Sequence, residues 1–429
     1  MIKKIIIRTA KNELIKDSFW SLFGNVFSKG LSLFSGIFIA RLLGKEVFGE
    51  YGMIKNTLVS IALFSTFGFG YAVTKFIAEY RDSNTKKLKV IIGYVTSITV
   101  IVSFLMSFLV FVFSDYIAVD ILKSEGLSSS LRIVAILILL NAIVSLQLGV
   151  LYGLGKFKEI ARINVIVGVV TFVFSVLFTY LWKLNGALLA LLLVQLVNFI
   201  LNYQLIGDFN CFFVKREERD KIIFNEIINF SVPVALQEAL FSAVYWFSNL
   251  LIVNYSSYGE LGLYNATLQW TSMILFIPGV LRSVVLSHLS TKLNNEKEFA
   301  KVISLTLLIN FIMTLIPALG VLLLSNFIAD FYGDSFVGFA SLVRIALIST
   351  LFISTSNIFV QIYMSKGKNW LMFFLKSFRD VGGIAAFLFF FNLKNINSGA
   401  EAMIYSVLFI NIIFMLLVIG FYNSSLFKK

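Results

Sequence analysis

The chain has 429 residues, of which 59% are apolar or aromatic and 14% charged; Phe alone fills 46 positions and the mean hydropathy is +0.90. Soluble domains run at about 45–50% apolar and about 25% charged, so the excess apolar surface must face lipid, which excludes a cytosolic enzyme. One cysteine (Cys211) and one histidine (His288) exclude a disulfide framework and a Cys/His metal cluster, and no cofactor is expected. The formal net charge of +13 would suit nucleic acid, anionic lipid or an anionic substrate, and only its distribution can decide.

A bilayer core of about 30 Å needs roughly 20 apolar residues per helix. On that measure the sequence predicts twelve spans, at 19–40, 48–71, 90–113, 131–153, 160–182, 185–206, 229–254, 262–287, 300–325, 340–364, 370–391 and 401–422. The runs are continuously apolar rather than alternating, which excludes an outer-membrane barrel. Residues Met1–Lys16 are basic and lead into a full-length span without a small-residue cleavage pattern, so no cleaved signal is read there. The longest polar gap, about Gly207 to Ile228, is too short for a soluble domain. The fold class predicted is all-α and polytopic: twelve transmembrane helices in two six-helix bundles, 1–206 and 229–429, joined by a cytoplasmic linker at 207–228.

Lys and Arg favour the cytoplasmic side of short loops. With both termini inside, 24 of the 36 Lys and Arg residues fall in inner segments, 6 in outer segments and 6 within spans. Most of the positive charge therefore encodes topology, and no nucleic-acid partner is predicted. Both termini are expected on the cytoplasmic side.

Motifs recur at a fixed offset. Phe48-Gly49-Glu50-Tyr51 returns as Leu261-Gly262-Leu263-Tyr264, 213 residues later; Gly155-Lys156 returns as Gly367-Lys368, offset 212; Gly186-Ala187 returns as Gly399-Ala400, offset 213. Six spans per repeat is an even number, so the repeats share orientation and are expected to be related by an axis along the membrane normal.

The hairpin running from Lys11-Asn12 through Ala40-Arg41-Leu42-Leu43-Gly44-Lys45-Glu46-Val47-Phe48-Gly49-Glu50-Tyr51 resembles the opening of the bacterial polysaccharide flippases, the Wzx-type transporters related to the multidrug and toxin exporters. Gly262-Leu263-Tyr264-Asn265-Ala266, Gly367-Lys368 and Gly399-Ala400 look like the counterpart signatures in the second repeat. The resemblance implies translocation of an undecaprenyl-diphosphate-linked oligosaccharide repeat unit from the cytoplasmic to the outer leaflet, with membrane lipid and other polysaccharide-assembly membrane proteins as further partners.

The charges inside the spans point the same way. Lys29, Lys55, Glu238, Lys376, Arg379 and Asp380 lie a turn and a half or more inside predicted spans. Facing lipid, six such charges would cost about 15–21 kcal/mol on insertion scales, more than the total stability of a typical domain, about 5–15 kcal/mol. They are therefore expected to face protein or a water-filled cavity. Four cations against two anions favour an anionic headgroup, with Arg282 and Arg344 adding to the cationic set nearer the span ends. A drug-exporter cavity would be expected to favour unpaired carboxylates. Lys376 and Asp380, four residues apart, have the spacing of an intrahelical ion pair, which leaves Arg379 as the better anion ligand. Glu238 is a candidate for pairing with a cavity lysine or for carrying a proton. Trp246 and Trp270, away from the span ends, are candidates for stacking on a sugar ring.

All three prolines (Pro233, Pro278, Pro317) lie in the second half, with a kink expected at Pro278-Gly279; bends in the first half are expected at Gly24-Asn25, Gly36 or Gly68-Phe69-Gly70. No phosphate-binding loop is present: Gly149 precedes Gly155-Lys156 by one residue too many, and Phe157 follows. No enzymatic activity is predicted. A multidrug exporter on the same fold and a membrane-embedded glycan polymerase are the alternatives, the latter disfavoured by the short outer loops.

Overall fold

The computed structural model describes all residues except 1, 67–68, 81–84, 208–220, 280–284, 286–295, 394–395, 397 and 424–429. Inside a bilayer every backbone N–H and C=O must find a partner within the protein, and the apolar runs accordingly fold as helices. These are α1 (Ile2–Thr66), α2 (Phe69–Tyr80), α3 (Thr85–Val112), α4 (Ser114–Tyr116), α5 (Ser128–Gly153), α6 (Phe157–Ile206), α7 (Lys221–Tyr255) and α8 (Tyr258–Ile274). The series continues with α9 (Glu296–Leu323), α10 (Ser325–Tyr332), α11 (Phe339–Ser365), α12 (Asn369–Phe391) and α13 (Gly399–Asn423). No strand occurs among the described residues. Seven of the described helices are long and apolar enough to cross a membrane. The architecture is thus the all-α polytopic one expected from the sequence.

Two of the longest helices are interrupted where the sequence places loops between spans. Gly44 adopts φ +74° inside α1, and Trp182 and Lys183 leave helical geometry inside α6, Lys183 at φ +51°. The bends expected at Gly24-Asn25 and Gly36 do not occur, because those glycines serve close packing instead. A Cβ on Gly24 would come within 2.7 Å of the Ala161 carbonyl oxygen, and one on Gly36 within 2.6 Å of the Gln269 side chain. The helix is interrupted at Leu275, just before the Pro278-Gly279 position where a kink is expected. Helix α8 ends at Ile274, whose carbonyl Pro278 has no N–H to satisfy, and residues 276–279 are helical again beyond Leu275.

Spatial clustering divides the chain into two compact units, one of Met1–Ser35 with Met53–Ala243 and the other of Gly36–Gly52 with Val244–Lys429. Residues 36–52 of the first expected bundle therefore group with the second unit, and residues 229–243 of the second bundle with the first.

In the first unit, small residues let helices approach closely, as in membranes generally. Gly149 and Gly153 on α5 receive α2: a Cβ at Gly149 would lie 2.6 Å from the Gly70 carbonyl oxygen, and one at Gly153 would lie 2.7 Å from the Ile77 Cβ. The Thr74 hydroxyl ties the crossing by donating to the carbonyls of Gly70 and Gly149, both at 2.9 Å. Gly149 is thus a helix-packing residue. Around it Phe69, Val73, Ile77, Ile91, Val95, Leu151, Ile223 and Ile227 form the apolar core.

In the second unit, the two copies of the repeated motif cross each other. A Cβ on Gly49 would overlap the Tyr258 carbonyl, and one on Gly262 would overlap the Lys45 carbonyl, so backbone passes over backbone. Tyr51 and Tyr264, the last residue of each motif copy, are both buried beside this crossing. Further along, Asn310, Thr314 and Ser354 join α9 to α11 in a buried knot: the Asn310 amide donates to the Ser354 carbonyl at 2.9 Å, and the Thr314 and Ser354 hydroxyls meet at 2.7 Å.

The repeat is visible in backbone detail. Gly155 (φ +74°) and Gly367 (φ +70°) each end a helix, each followed by lysine. Gly155 N donates to Tyr152 O and Lys156 N to Leu151 O, both at 3.1 Å; Gly367 N donates to Met364 O and Lys368 N to Tyr363 O, both at 3.0 Å. These are two copies of one Schellman cap, which needs glycine for its left-handed residue.

Candidate functional site

Lys29 is set by the packing of its own helix. Gly24 and Ser28 on α1 lie against Ala161 and Gly168 on α6, and the Asn164 amide donates to Asn25 Oδ1 at 3.0 Å. Lys29, one turn beyond Asn25, is half-buried at the edge of this contact. Lys55 lies on the second arm of α1. Its neighbours Met53, Ile54 and Leu58 are buried, and Lys55 with Val59 forms the accessible flank. The structure brings Lys29 and Lys55 close enough to repel electrostatically. Both belong to the first unit.

Span eleven differs from the sequence expectation. Asp380 pairs with the adjacent Arg379, which donates through Nε at 2.8 Å and through a terminal nitrogen at 2.6 Å, both to Asp380 Oδ1. The guanidinium also lies over the Phe414 ring, 5.1 Å from its centroid. A guanidinium at the end of a long side chain can fold back to an adjacent carboxylate, and the ring across on α13 favours that pose. Arg379 is therefore a compensated charge, and its anion-ligand role is withdrawn. Both side chains are mostly buried, 20% and 15% exposed. Asp380→Ala is expected to destabilise the protein by about 3 kcal/mol, because it leaves a buried cation unpaired. Asp380→Ala combined with Arg379→Leu should recover most of that loss, and the thermal unfolding midpoints of the two purified variants check it.

Arg344 is also accounted for structurally. It is exposed and clasps α10, donating through Nε to Ser325 Oγ at 2.8 Å and through a terminal nitrogen to Asn326 Oδ1 at 2.7 Å. The first repeat does the same: Arg132 Nε donates to Ser114 Oγ at 3.2 Å and its terminal nitrogen meets the Asp115 carboxylate at 3.1 Å. These clamps are repeat features absent from the sequence reading. Trp270 is engaged too, its indole N–H donating to the Tyr332 hydroxyl at 3.0 Å, so it packs α8 against α10. Trp246, Glu238 and Lys376 are each half-buried. Arg282 and His288 lie outside the described residues. Beyond the spans, burial and the Glu50 carboxylate hold the Tyr258 hydroxyl above its ordinary pKa, so it stays protonated throughout the physiological range.

The fold is shared with known membrane transporters. An inward-facing structure of a multidrug-resistance MATE family transporter of the MOP superfamily superposes with a TM-score of 0.77 at 14% identity, covering 95% of this chain and 99% of the other. A structure of the lipid II flippase MurJ in an inward closed conformation gives 0.76 at 14% identity, covering 94% and 87%. Residues 14–287 match the family model described as polysaccharide biosynthesis protein, and the chain belongs to that family. A Shigella flexneri protein described as an O-antigen transporter is 25% identical over 359 residues, spanning 79% of this chain and 82% of its own length.

Proposed function

We propose that the protein is a flippase of the bacterial inner membrane, with both termini cytoplasmic. It moves an undecaprenyl-diphosphate-linked oligosaccharide repeat unit from the cytoplasmic to the outer leaflet by alternating access, for surface polysaccharide assembly. The observation that carries this reading is the lysine pair. Lys29 and Lys55 lie on the two arms of α1 in the first unit and repel each other electrostatically. A diphosphate must cross a low-dielectric slab, and fixed ammonium groups replace part of its lost hydration through charge-assisted hydrogen bonds. The prenyl chain stays in lipid throughout. Family membership and the likeness to a protein described as an O-antigen transporter support the same substrate class.

A multidrug exporter on this fold is the second reading, favoured by the MATE likeness and by the half-buried Glu238. Deleting the gene separates the two. The flippase reading expects lipid-linked repeat units to accumulate on the inner leaflet and surface polymer to fall. Loss of resistance to cationic dyes with normal surface polymer would favour the exporter, and chain lengthening by the purified protein would favour a polymerase.

A further inference from the structure

Spans four and six carry a set of buried amide atoms that no described residue satisfies. Gln195, Asn198 and Asn202 sit at positions i, i+3 and i+7 of α6, one face of the helix. Gln147 on α5 is packed against that face, its amide nitrogen donating to the Phe199 carbonyl at 3.4 Å. Gln147 Oε1, Gln195 Oε1, Asn198 Oδ1 and both amide atoms of Asn202 are buried without a hydrogen-bond partner, and Asn202 is 0% exposed. Rotating the amides does not cure this. The Phe199 carbonyl can accept only from the NH2 end of Gln147, which fixes Oε1 as the unpaired end, and Asn202 lacks a partner at both ends.

The second repeat supplies an internal control. At offsets of 212 for span four and 213 for span six, the matching positions are Phe359, Leu408, Asn411 and Met415. Three are apolar, and the amide of Asn411 turns back onto the Val407 carbonyl at 2.7 Å. The fold therefore does not require the full set, of which the second repeat keeps only Asn411, turned back onto its own helix.

We propose that Gln147, Asn198 and Asn202 form a binding site for an alkali-metal cation, with Gln195 extending its oxygen-lined face one turn further along α6. The unpaired set holds four carbonyl oxygens against one N–H2 group, a surplus of acceptors that a cation satisfies. Neutral carbonyl oxygens are hard ligands that replace the hydration shell of Na+ or K+. With no carboxylate in the set, a divalent ion would be left without charge compensation. Asn198 and Asn202 are one turn apart on α6, and Gln147 meets the helix between them at the Phe199 carbonyl, which puts the three amides on one stretch of the α5–α6 contact. The site is independent of what the protein transports.

The test uses the full-length protein in lipid nanodiscs, with thermal midpoints and 22Na+ equilibrium binding measured in NaCl, KCl or N-methylglucamine chloride at equal ionic strength. The proposal expects a saturable rise in midpoint with Na+ or K+ over N-methylglucamine. It also expects at least a tenfold loss of cation affinity in Gln147→Leu and in Asn202→Leu, and a tenfold or greater gain in Asn202→Asp. Asn202→Leu replaces an amide unpaired at both ends and Gln147→Leu gives up only the long 3.4 Å contact to Phe199, so both are expected to fold; Asn198→Leu is the substitute should either express poorly. Identical midpoints in all three salts, as a site holding water alone would give, overturn the proposal. So does an undiminished cation response in the leucine variants.

Discussion

Replacing Lys29 or Lys55 with glutamine is expected to cut surface polymer about ten- to a hundredfold while membrane levels of the protein stay near normal. Each substitution removes one charge-assisted hydrogen bond to the diphosphate, worth about 1.5–3 kcal/mol, and a tenfold change corresponds to about 1.4 kcal/mol. The protein itself should not suffer, because removing one of two mutually repelling lysines relieves repulsion within the first unit. The double variant should lose polymer export altogether. Lys29→Arg and Lys55→Arg keep the charge and are expected to retain most of the export, which separates a need for charge from a need for side-chain shape. Quantifying surface glycan alongside membrane protein levels checks all of these variants, and normal polymer in the double variant would remove the assignment.

The second large effect is expected at the crossing of the repeated motifs. Gly49→Val and Gly262→Val each push a side chain into a backbone carbonyl, of Tyr258 and Lys45 respectively. Backbone held in two helices cannot yield as a flexible side chain would, so each variant should lose at least the about 1–3 kcal/mol typical of overpacking. Unfolding midpoints of purified protein should fall clearly for both. Gly30→Ala and Gly420→Ala provide the contrast, since a Cβ at either meets nothing within 4 Å. If Gly49→Val matched Gly30→Ala in stability, the close crossing would be wrong.

How much of this was legible beforehand depended on which signal each residue carried. The spans were readable because lipid leaves apolar runs no alternative to helix, and the breaks at Gly44 and Lys183 fall between them. The repeat was readable as paired dipeptides, and Gly155 and Gly367 do adopt the same left-handed cap. That Gly49 and Gly262 touch each other was not readable, because sequence offset carries no distance. Arg344 was read as a depth in the bilayer, whereas its role is set by Ser325 and Asn326 across a helix break; the matching trio Ser114, Asp115 and Arg132 was the available clue. The pairing of Arg379 with Asp380 was not legible in span eleven, because helical spacing does not say that a guanidinium folds back onto the adjacent carboxylate under the Phe414 ring. The amides of spans four and six carry no charge and so give no signal in a charge pattern; their signature is polar residues at i, i+3 and i+7 in an apolar run, of which the second repeat keeps only Asn411.

The central claim is that the lysine pair of the first unit holds a phosphorylated lipid head. Native mass spectrometry of the purified protein with undecaprenyl diphosphate, and with undecaprenol as the phosphate-free control, tests it directly. The account predicts that the wild type retains the diphosphate lipid in preference to the alcohol, and that Lys29→Gln with Lys55→Gln weakens that retention at least tenfold. Equal retention of the two lipids, or undiminished diphosphate binding in the double variant, would contradict it.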